Sequence, residues 1–544
     1  MRTAAVQATP TLSDGWFFGA SALPLTLTAN VFSDELPRMN DTSRGLRTTT
    51  SILLLGLSLS ATHAEVRLPG LFSDNMVLQQ GVKVPVWGWA NDGEAVTVSF
   101  RNQSTATVAH DGKWRVDLKR LKAGGPDTFT VATKTQTLQC TNVLVGDVWV
   151  CSGQSNMEFP LSRSYASVDD ITSATNALIH LFLVPKLKAD EPVTDTKGRW
   201  QLCTPESAAQ FSAVGYYFGR DLQAARQVPV GLIGTYWGGS PAEAWTSHQA
   251  LAANPRYQNE ILAPAGPATE AFQRAVAAFD KERAAAKAAG TPFTKQAPRG
   301  PWKPSELYNG MIVPLLPYAI QGATWYQGES NAGRAEQYRS LFADMIRNWR
   351  SDWGSDFTFL AVQLAPFKAI QAQPGESDWA ELREAQLLAT TVLPKVGMAV
   401  ITDVGDEKDI HPTKKQPVGA RLALAAQAIA HGEKVPFSGP LYRSMKLQDG
   451  QIVLTFDHTG KGLVAKDGEL RGFAICGEDR KWVWATARIG KRNTVIVSSP
   501  EVPQPVAVRF GWADYPVVNL WNQDGLPATP FRTDDFPLTT AAKK

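Results

Sequence analysis

The stretch that decides the fold reads Asn142-Val-Leu-Val-Gly-Asp-Val-Trp-Val-Cys-Ser-Gly-Gln-Ser-Asn-Met-Glu158. Its first part, Val143 to Cys151, is a short apolar run rich in β-branched residues, which predicts a buried strand of a parallel sheet. A small polar turn follows, and it places Ser155 at the sheet edge where open α/β proteins bind ligands. A turn that only caps a helix is the simpler interpretation of this stretch alone. The case for a nucleophilic Ser155 therefore depends on two segments downstream.

The first of these segments is Gln321-Gly-Ala-Thr-Trp-Tyr-Gln-Gly-Glu-Ser-Asn331. Ile320 to Tyr326 fits a second buried strand, and polar residues again follow its carboxyl end. The Gln327 and Asn331 side chains can donate N–H groups to a developing oxyanion, while Glu329 could orient a base. Two polar turns at strand ends predict a shared crevice.

The second segment is Gly397-Met-Ala-Val-Ile-Thr-Asp-Val-Gly-Asp-Glu-Lys-Asp-Ile-His-Pro412. A strand at 398–401 runs into an acidic loop, and a helix is expected at 415–425. His411 is one of seven histidines in the chain. Asp403, Asp406 and Asp409 precede it, which suits a base whose other ring nitrogen must be oriented. A structural histidine is the common alternative. A metal ligand is the weaker one, because no second His or Cys lies at ligand spacing.

Together the three loops supply the groups needed for nucleophilic acyl transfer. We expect His411 to deprotonate Ser155 and Asp409 to hold the imidazole. The backbone N–H groups of Ser155 and Gly239, with an amide from Gln327 or Asn331, would stabilise the oxyanion. Gly239 follows the predicted strand 230–237, and a tight turn explains it equally well. No metal and no cofactor are predicted.

These segments resemble the sialate O-acetylesterase family of SGNH (GDSL-like) hydrolases. The similarity lies in Gly153-Gln-Ser-Asn-Met157, Trp325-Tyr-Gln-Gly-Glu-Ser-Asn331 and Asp409-Ile-His-Pro412, and extends to Phe211-Ser-Ala-Val-Gly-Tyr-Tyr-Phe218 and Asp74-Asn-Met-Val-Leu-Gln-Gln80. The resemblance implies an α/β fold with a flavodoxin-like three-layer core flanked by β-modules. It also implies metal-free removal of acetyl groups from sugar hydroxyls, with Gln154 among the substrate-binding residues. Acetylxylan esterases share the Gly-Gln-Ser-Asn core, so the sugar stays open.

The sequence departs from the general SGNH pattern at two points. The acid of that pattern stands three residues before the histidine, where this chain has Lys408, and Asp409 is only two residues before it. Asp406, Asp403 and Glu329 are therefore alternatives for the orienting acid. The usual Gly-x-Asn-Asp block is replaced by Gly328-Glu-Ser-Asn331, which leaves open which amide completes the oxyanion hole.

After residue 64, the pattern of turns and periodicities divides the chain into three parts. Residues 65–141 and 435–544 are predicted to be β-sandwich modules, and 142–434 the hydrolase domain with a helical excursion at about 251–300. Within the excursion, 268–289 is the predicted helix, with Pro267 just before it and Gly290 as its stop. Near the end, Trp512, Tyr515, Trp521 and Asn522 are assigned to packing, with a sugar platform as the alternative.

Residues 1–64 are predicted to be a leader. Arg44 and Arg47 precede an apolar run at 51–60, and Ala61-Thr-His-Ala64 resembles a cleavage site, which together are typical of a secretory signal peptide. A start at Met39 would give a leader of ordinary length, so 39–64 is the predicted signal peptide and 1–38 a mis-assigned start. A secreted or periplasmic enzyme without a membrane span is expected.

Composition narrows the class of partner. A net charge of +3 over 544 residues, without a basic stripe, argues against nucleic-acid binding, and an acetylated sugar or glycan is the expected partner. The four cysteines match no zinc motif; burial is the default for each, and one disulfide, between Cys151 and Cys203, is conceivable. The rival classes are a non-catalytic secreted sugar-binding protein and a glycosidase, which needs two facing carboxylates. Oligomeric state stays open.

Overall fold

The structure is a computed structural model that describes residues 65–165 and 167–541. The predicted leader and its cleavage site lie outside the described residues. The strands are numbered in chain order: β1 (Val77–Gln79), β2 (Val84–Trp89), β3 (Ala95–Phe100), β4 (Gln103–Val108), β5 (Lys113–Leu118), β6 (Gly124–Ala132), β7 (Thr137–Gly153), β8 (Asn176–Leu183), β9 (Trp200–Cys203), β10 (Val230–Tyr236), β11 (Gly322–Tyr326), β12 (Thr358–Val362), β13 (Val396–Ala399), β14 (Leu441–Gln448), β15 (Gln451–Asp457), β16 (Leu463–Ala465), β17 (Phe473–Cys476), β18 (Val483–Trp484), β19 (Thr486–Ile489), β20 (Thr494–Ser498), β21 (Ala507–Phe510), β22 (Leu520–Asn522) and β23 (Phe531–Arg532).

The α-helices are α1 (Ser155–Glu158), α2 (Ser167–Thr172), α3 (Pro205–Gln210), α4 (Ala213–Arg226), α5 (His248–Ala252), α6 (Pro255–Tyr257), α7 (Ala263–Ala288), α8 (Ala335–Trp353), α9 (Asp378–Val392) and α10 (Gln416–Ala425). Short 3₁₀ segments occupy Leu161–Arg163, Ala242–Trp245, Val313–Leu315 and Glu329–Arg334, and π-helical turns occupy Gln258–Leu262, Tyr308–Ile312 and Ala426–Ala430.

The centre of the molecule is a largely parallel sheet with the strand order β13-β12-β11-β7-β10-β8-β9. Every neighbouring pair is parallel except β8 and β9. From β10 to β13 this is the doubly wound order 2-1-3-4-5, in which the first strand of the core, β7, is central. The order reverses beside β7, and such a switch point leaves a crevice at the carboxyl ends of the strands.

Both faces of this sheet are covered, as the alternation of side chains requires. Val148 and Val150 of β7 point into one buried cluster, which α8 and α9 complete, whereas Trp149 and Cys151 point into another, which α4 and α10 complete. This gives three layers, helices on each side of a sheet. The predicted α/β core is confirmed.

Strand β7 is long because it serves two regions. Its first half pairs with β6 among the N-terminal strands, and its last residues pair with β10 and β11. The boundary predicted between 141 and 142 therefore falls inside a continuous strand. After the core, β14-β15-β20-β19 and β18-β17-β21-β23 form two antiparallel sheets around a third cluster. That both flanking regions are sandwich modules stays a prediction.

Two local predictions need correction. The helix predicted at 268–289 begins earlier than expected, at Ala263, so Pro267 lies inside α7 and not before it. Pro267 is near the start of the helix and lacks the N–H for one backbone hydrogen bond. The suggested disulfide is absent, since all four cysteines are unpaired and buried. Cys151 on β7 and Cys203 on β9 are separated by two intervening strands, roughly 14 Å, which is too far for a bridge.

Candidate active site

The crevice at the switch point contains the predicted Ser–His pair. Ser155 follows β7, and His411 lies in the loop between β13 and α10. The Nε2 atom of His411 is 2.8 Å from the Oγ atom of Ser155, a good hydrogen-bond distance although the residues are far apart in sequence. Both side chains are half-buried, so a substrate can reach them. A neutral imidazole in this position can accept the serine proton.

A sharp turn exposes the serine. Gly153 has a φ of 141° and lies so close to β11 that a Cβ atom would be 2.1 Å from the Tyr326 carbonyl oxygen, so only glycine fits. The next backbone N–H, of Gln154, donates to the same carbonyl at 2.9 Å. Ser155 is then the first residue of α1, and the first N–H groups of a helix have no partner within it.

Asp409 is the carboxylate that contacts the other side of the imidazole. Its Oδ1 atom is 3.3 Å from Nδ1 of His411 and accepts a 2.8 Å hydrogen bond from the His411 backbone N–H. Asp409 is only two residues before His411 in the sequence, and it reaches the imidazole because the loop bends between them. The contact is long and the Asp409 side chain is 59% exposed, so the orientation it provides is weaker than that of a buried acid.

The alternative acids are engaged elsewhere. Asp403 makes a two-pronged ion pair with Arg421, at 2.6 and 2.8 Å. Asp406 accepts the backbone N–H groups of Lys408 and Asp409, which lowers its pKa and fixes the loop. Neither has His411 as a partner. The structure thus places Asp409, and not these two, beside the base.

Glu329 belongs to a polar network beside the Ser–His pair. Asn156 donates to Oε1 of Glu329 at 2.6 Å and to the Ile410 carbonyl at 2.9 Å, and it accepts from Nζ of Lys415 at 2.5 Å. The amide of Asn156 therefore joins the residue after the nucleophile to the residue before the base. Both N–H groups of the Asn156 amide are already used in these hydrogen bonds. Its role is therefore to hold the two loops in a fixed position relative to each other.

Lys415 is the site residue that sequence reasoning missed. It is 1% exposed, and its ammonium group lies over the rings of Phe159, at 4.9 Å, and Tyr326, at 5.3 Å. Burial lowers its pKa to about 7, against the attraction of Glu329 and Asp409. A lysine at the start of a predicted helix normally faces solvent. The one available signal in the sequence was its position four residues after His411.

Burial sets the charge state of the other groups too. Loss of hydration lowers the pKa of His411 from 6.5, an effect that Asp409 opposes and Lys415 reinforces. His411 is therefore neutral at pH 7, as a base must be. Loss of hydration also raises the pKa of Glu329, against the hydrogen bond from Asn156 and the charge of Lys415.

The glycine pair after β10 forms the opposite wall. A Cβ atom on Gly238 would be 3.3 Å from Cβ of Ser155, so the backbone passes directly beside the nucleophile. The Gly238 N–H donates to Glu158 at 2.7 Å. Gly239 is exposed with a φ of 75°, and among the described residues its N–H has no acceptor. Gly239 can therefore offer an N–H to an anion.

Gln327 and Asn331 lie deeper than predicted. Both are buried, and Gln327 donates to the Ser240 carbonyl and to Oδ1 of Asn331 while accepting from Tyr338. Asn331 donates to Glu243 at 3.0 Å. Both N–H groups of Gln327 are thus consumed by the protein, which removes it as an oxyanion donor. The polar residues at these strand ends therefore form hydrogen bonds with one another beneath the crevice.

Gln154 connects the first and second polar loops. Its Oε1 atom accepts from the backbone N–H groups of Gly328 and Ser330, at 3.4 and 3.3 Å. Its Nε2 group has no acceptor among the described residues, so it is a donor that a substrate can use. Within residues 65–541, no group of three or more His, Cys, Asp or Glu side chains is arranged to hold a metal ion.

Comparison with known proteins defines the class. The family model described as carbohydrate esterase, sialic acid-specific acetylesterase matches residues 287–429. A carbohydrate acetylesterase from Xanthomonas citri superimposes with a TM-score of 0.75 and is 39% identical, with coverage of 87% of this chain and all of that structure. The chain is therefore a carbohydrate O-acetylesterase.

The family can be named more narrowly. The sialate O-acetylesterase of Rattus norvegicus is 29% identical over 520 residues, which is 86% of this chain and 94% of the rat protein. The Homo sapiens sialate O-acetylesterase is 28% identical over 516 residues, 86% of this chain and 92% of the human protein. The chain belongs to the sialate O-acetylesterase family.

Proposed function

We propose that this protein removes O-acetyl groups from sugars through an acyl-enzyme formed on Ser155, with His411 as the general base and Asp409 as the group that orients it. The 2.8 Å contact between Ser155 Oγ and His411 Nε2, at the carboxyl edge of the sheet, is the observation that carries the proposal. The 3.3 Å contact on the other ring nitrogen supports the assignment of Asp409.

The first half-reaction transfers the acetyl group. Oγ of Ser155 bonds to the acetyl carbonyl carbon while its proton moves to Nε2 of His411. The N–H groups of Ser155 and Gly239 stabilise the oxygen that becomes negative, and Nε2 of Gln154 is a further donor on the substrate side. The C–O bond to the sugar then breaks, and the leaving sugar oxygen takes the proton from His411.

The second half-reaction regenerates the serine. Water loses a proton to His411 as its oxygen attacks the acetyl carbon, and the ester bond to Ser155 then breaks. The proton returns to Ser155 Oγ and acetate leaves. Every proton is carried by one imidazole, so the reaction needs no group beyond the residues named.

Localisation and substrate are part of the proposal. The signal-peptide pattern at 39–64 supports secretion or export to a periplasm. Among the described residues, none of the helices combines the length and the apolar character needed to cross a bilayer. An O-acetylated sialate is the substrate suggested by the names of the mammalian relatives. Acetylated xylan is the alternative, since the residues proposed for catalysis act on the acetyl group alone.

Acetate release tests the mechanism. Wild type and Ser155→Ala are compared on 4-nitrophenyl acetate, 9-O-acetylated sialic acid and acetylated xylose, with circular dichroism to show that both are folded. Ser155→Ala should lose at least about 10³ in kcat. Equal rates for the two proteins would exclude Ser155 as the nucleophile. A wild type inactive on every ester would favour the non-catalytic sugar-binding alternative.

A further inference from the structure

A second cavity lies apart from the Ser–His pair, and neither of those residues lines it. Its volume is about 520 Å³, within the range of pockets that enclose small ligands. One wall is the loop 370–376 of the core, and the other comes from 470–473, 484–485 and 511–517 of the C-terminal region. The cavity thus forms between the hydrolase domain and the β-strands that follow it.

The lining of this cavity combines flat rings with hydrogen-bonding groups. Trp484 and Tyr515 supply aromatic surface, and Trp484 is 43% exposed, which is unusual for the largest apolar side chain. Arg471, Glu376 and Asp514 supply polar atoms. A pyranose ring presents an apolar C–H face and a rim of hydroxyls, so rings beside charged hydrogen-bonding groups are suited to it.

The two carboxylates that line this cavity are already paired with basic side chains of the protein. Glu376 pairs with Arg509 at 2.9 Å, and Asp514 pairs with Lys368 at 3.0 Å and accepts from Ser377. Carboxylates held in this way can still accept hydrogen bonds from hydroxyl groups through their remaining lone pairs. The lining is therefore suited to the hydroxyls of a sugar chain.

The wall of the cavity is continuous with the loop that carries the base. The Phe367 N–H donates to the Asp514 carbonyl at 3.2 Å, and Phe367 also pairs as an isolated bridge with Asp406. The Ile370 N–H donates to the Glu407 carboxylate at 3.2 Å. Asp406 in turn accepts from the Asp409 N–H. The wall of the cavity and the loop of His411 are thus connected through one stack of hydrogen-bonded loops.

Trp484 also ties the two regions together. Its indole N–H donates to the Ala372 carbonyl at 2.9 Å, which fixes the rim of the cavity to the core loop. The indole is therefore held in one orientation before any ligand arrives. A preorganised ring surface loses less conformational entropy on binding than a mobile one.

We propose that this cavity is a subsite for sugar residues that neighbour the acetylated one, so that the enzyme prefers O-acetylated oligosaccharide or polysaccharide chains over single acetylated sugars. The proposal rests on the proposed function, because it places the reacting acetyl group at Ser155. The occupant is the carbohydrate chain itself, recognised by ring stacking on Trp484 and Tyr515 and by hydroxyl contacts to the polar lining.

The test compares chain lengths. Three matched series are used: 9-O-acetylated sialic acid free and on sialyllactose, acetylated xylose and acetylated xylohexaose, and acetylated glucose and acetylated cellohexaose. For wild type, kcat/KM should rise at least about tenfold with chain length in one series, and Trp484→Ala should lose that gain. Activity on 4-nitrophenyl acetate should stay within twofold, since the Ser–His pair is unchanged.

Two further variants make the result interpretable. Arg471→Ala changes an exposed residue of the lining and keeps the Trp484 contact to the core, so it should lose part of the gain even if Trp484→Ala is unstable. Trp89→Ala, in a groove of the N-terminal strands, is the matched control and should keep the gain. The proposal is overturned if no series gains from length, or if the gain survives in both cavity variants. Failure of Ser155 as nucleophile appears separately, as activity in Ser155→Ala.

Discussion

At the scale of single residues, the charge of Asp409 should set the pH profile of the reaction. Asp409 raises the pKa of His411 while burial lowers it. With Asp409→Asn the opposing charge is gone, so the pKa of His411 falls further below 6.5. The acidic limb of kcat/KM should therefore move to lower pH, because the imidazole stays neutral there. The rate at the plateau should fall by about 10²–10⁴, since the ring loses its orienting partner.

The comparison variants for Asp409→Asn are Asp403→Asn and Glu329→Gln. Asp403 pairs with Arg421, and Glu329 accepts a hydrogen bond from Asn156. Neither carboxylate is among the charges that shift the pKa of His411 directly. Asp403→Asn and Glu329→Gln should therefore keep the acidic limb of kcat/KM at the wild-type pH. Initial rates measured from about pH 4 to about pH 9 check this. If Glu329→Gln moves the limb and Asp409→Asn does not, Glu329 is the orienting acid.

At this scale the sequence predicts the reacting atoms better than their surroundings. Ser155 and His411 could be found because each follows a recognisable buried strand, and parallel strands end at one edge. Gln327 could not be assigned, because an amide at a strand end serves a substrate or a neighbouring loop equally well. Here its partners are Ser240, Asn331 and Tyr338, residues that only the fold brings together.

At the scale of elements, the start of α10 holds the crevice together through Lys415. Its ammonium group is buried on Asn156 Oδ1, and Asn156 in turn holds the Ile410 carbonyl beside His411. Lys415→Met keeps the length of the side chain but leaves Asn156 and Glu329 without their cation. We expect kcat to fall about 10- to 100-fold with little change in KM, since a positioning contact is lost and no substrate contact.

Lys415→Met should also move the pH profile, in the opposite direction to Asp409→Asn. Lys415 lowers the pKa of His411, so its removal raises that pKa, and the acidic limb should move to higher pH. A purely structural role would lower the rate without moving the limb. Lys414→Met, at an exposed neighbouring position, is the matched control and should behave as wild type.

The strands also show which features of the fold can be predicted from the periodicity of apolar residues. β10 lies where the apolar pattern places it, within one residue, because every residue of this strand is buried. The length of β7 could not be predicted, since its first half is exposed on one side and its second half is buried on both, so its pattern changes at Asn142. A change in the spacing of apolar residues is easily interpreted as a domain boundary, but here a single strand continues through it.

At the scale of the whole molecule, one buried arginine joins the core to the C-terminal region. Arg383 of α9 is fully buried and donates to four carbonyl oxygens, those of Leu364, Ala365, Ala513 and Asp514. Burial lowers its pKa to about 9, so it remains charged at pH 7. One of these carbonyls, that of Asp514, also accepts the Phe367 N–H that begins the loop stack leading to His411, so we expect the contact to matter for activity as well as stability.

Arg383→Met should therefore destabilise the protein and disturb the site together. Four buried carbonyls lose their donor, so the free energy of unfolding should fall by about 3 kcal/mol or more, measured by urea unfolding at pH 7. Arg339→Met is the control: that side chain is 35% exposed and pairs with Glu384 at 3.9 Å, so its loss should cost less than about 1 kcal/mol. Activity of Arg383→Met on 4-nitrophenyl acetate should fall even at urea concentrations at which the protein is still folded. The reason is that the loops that contact Asp406 lose their attachment to Arg383. Full activity in a destabilised Arg383→Met would show that the two regions are joined for stability alone, and that the loop stack does not position the base.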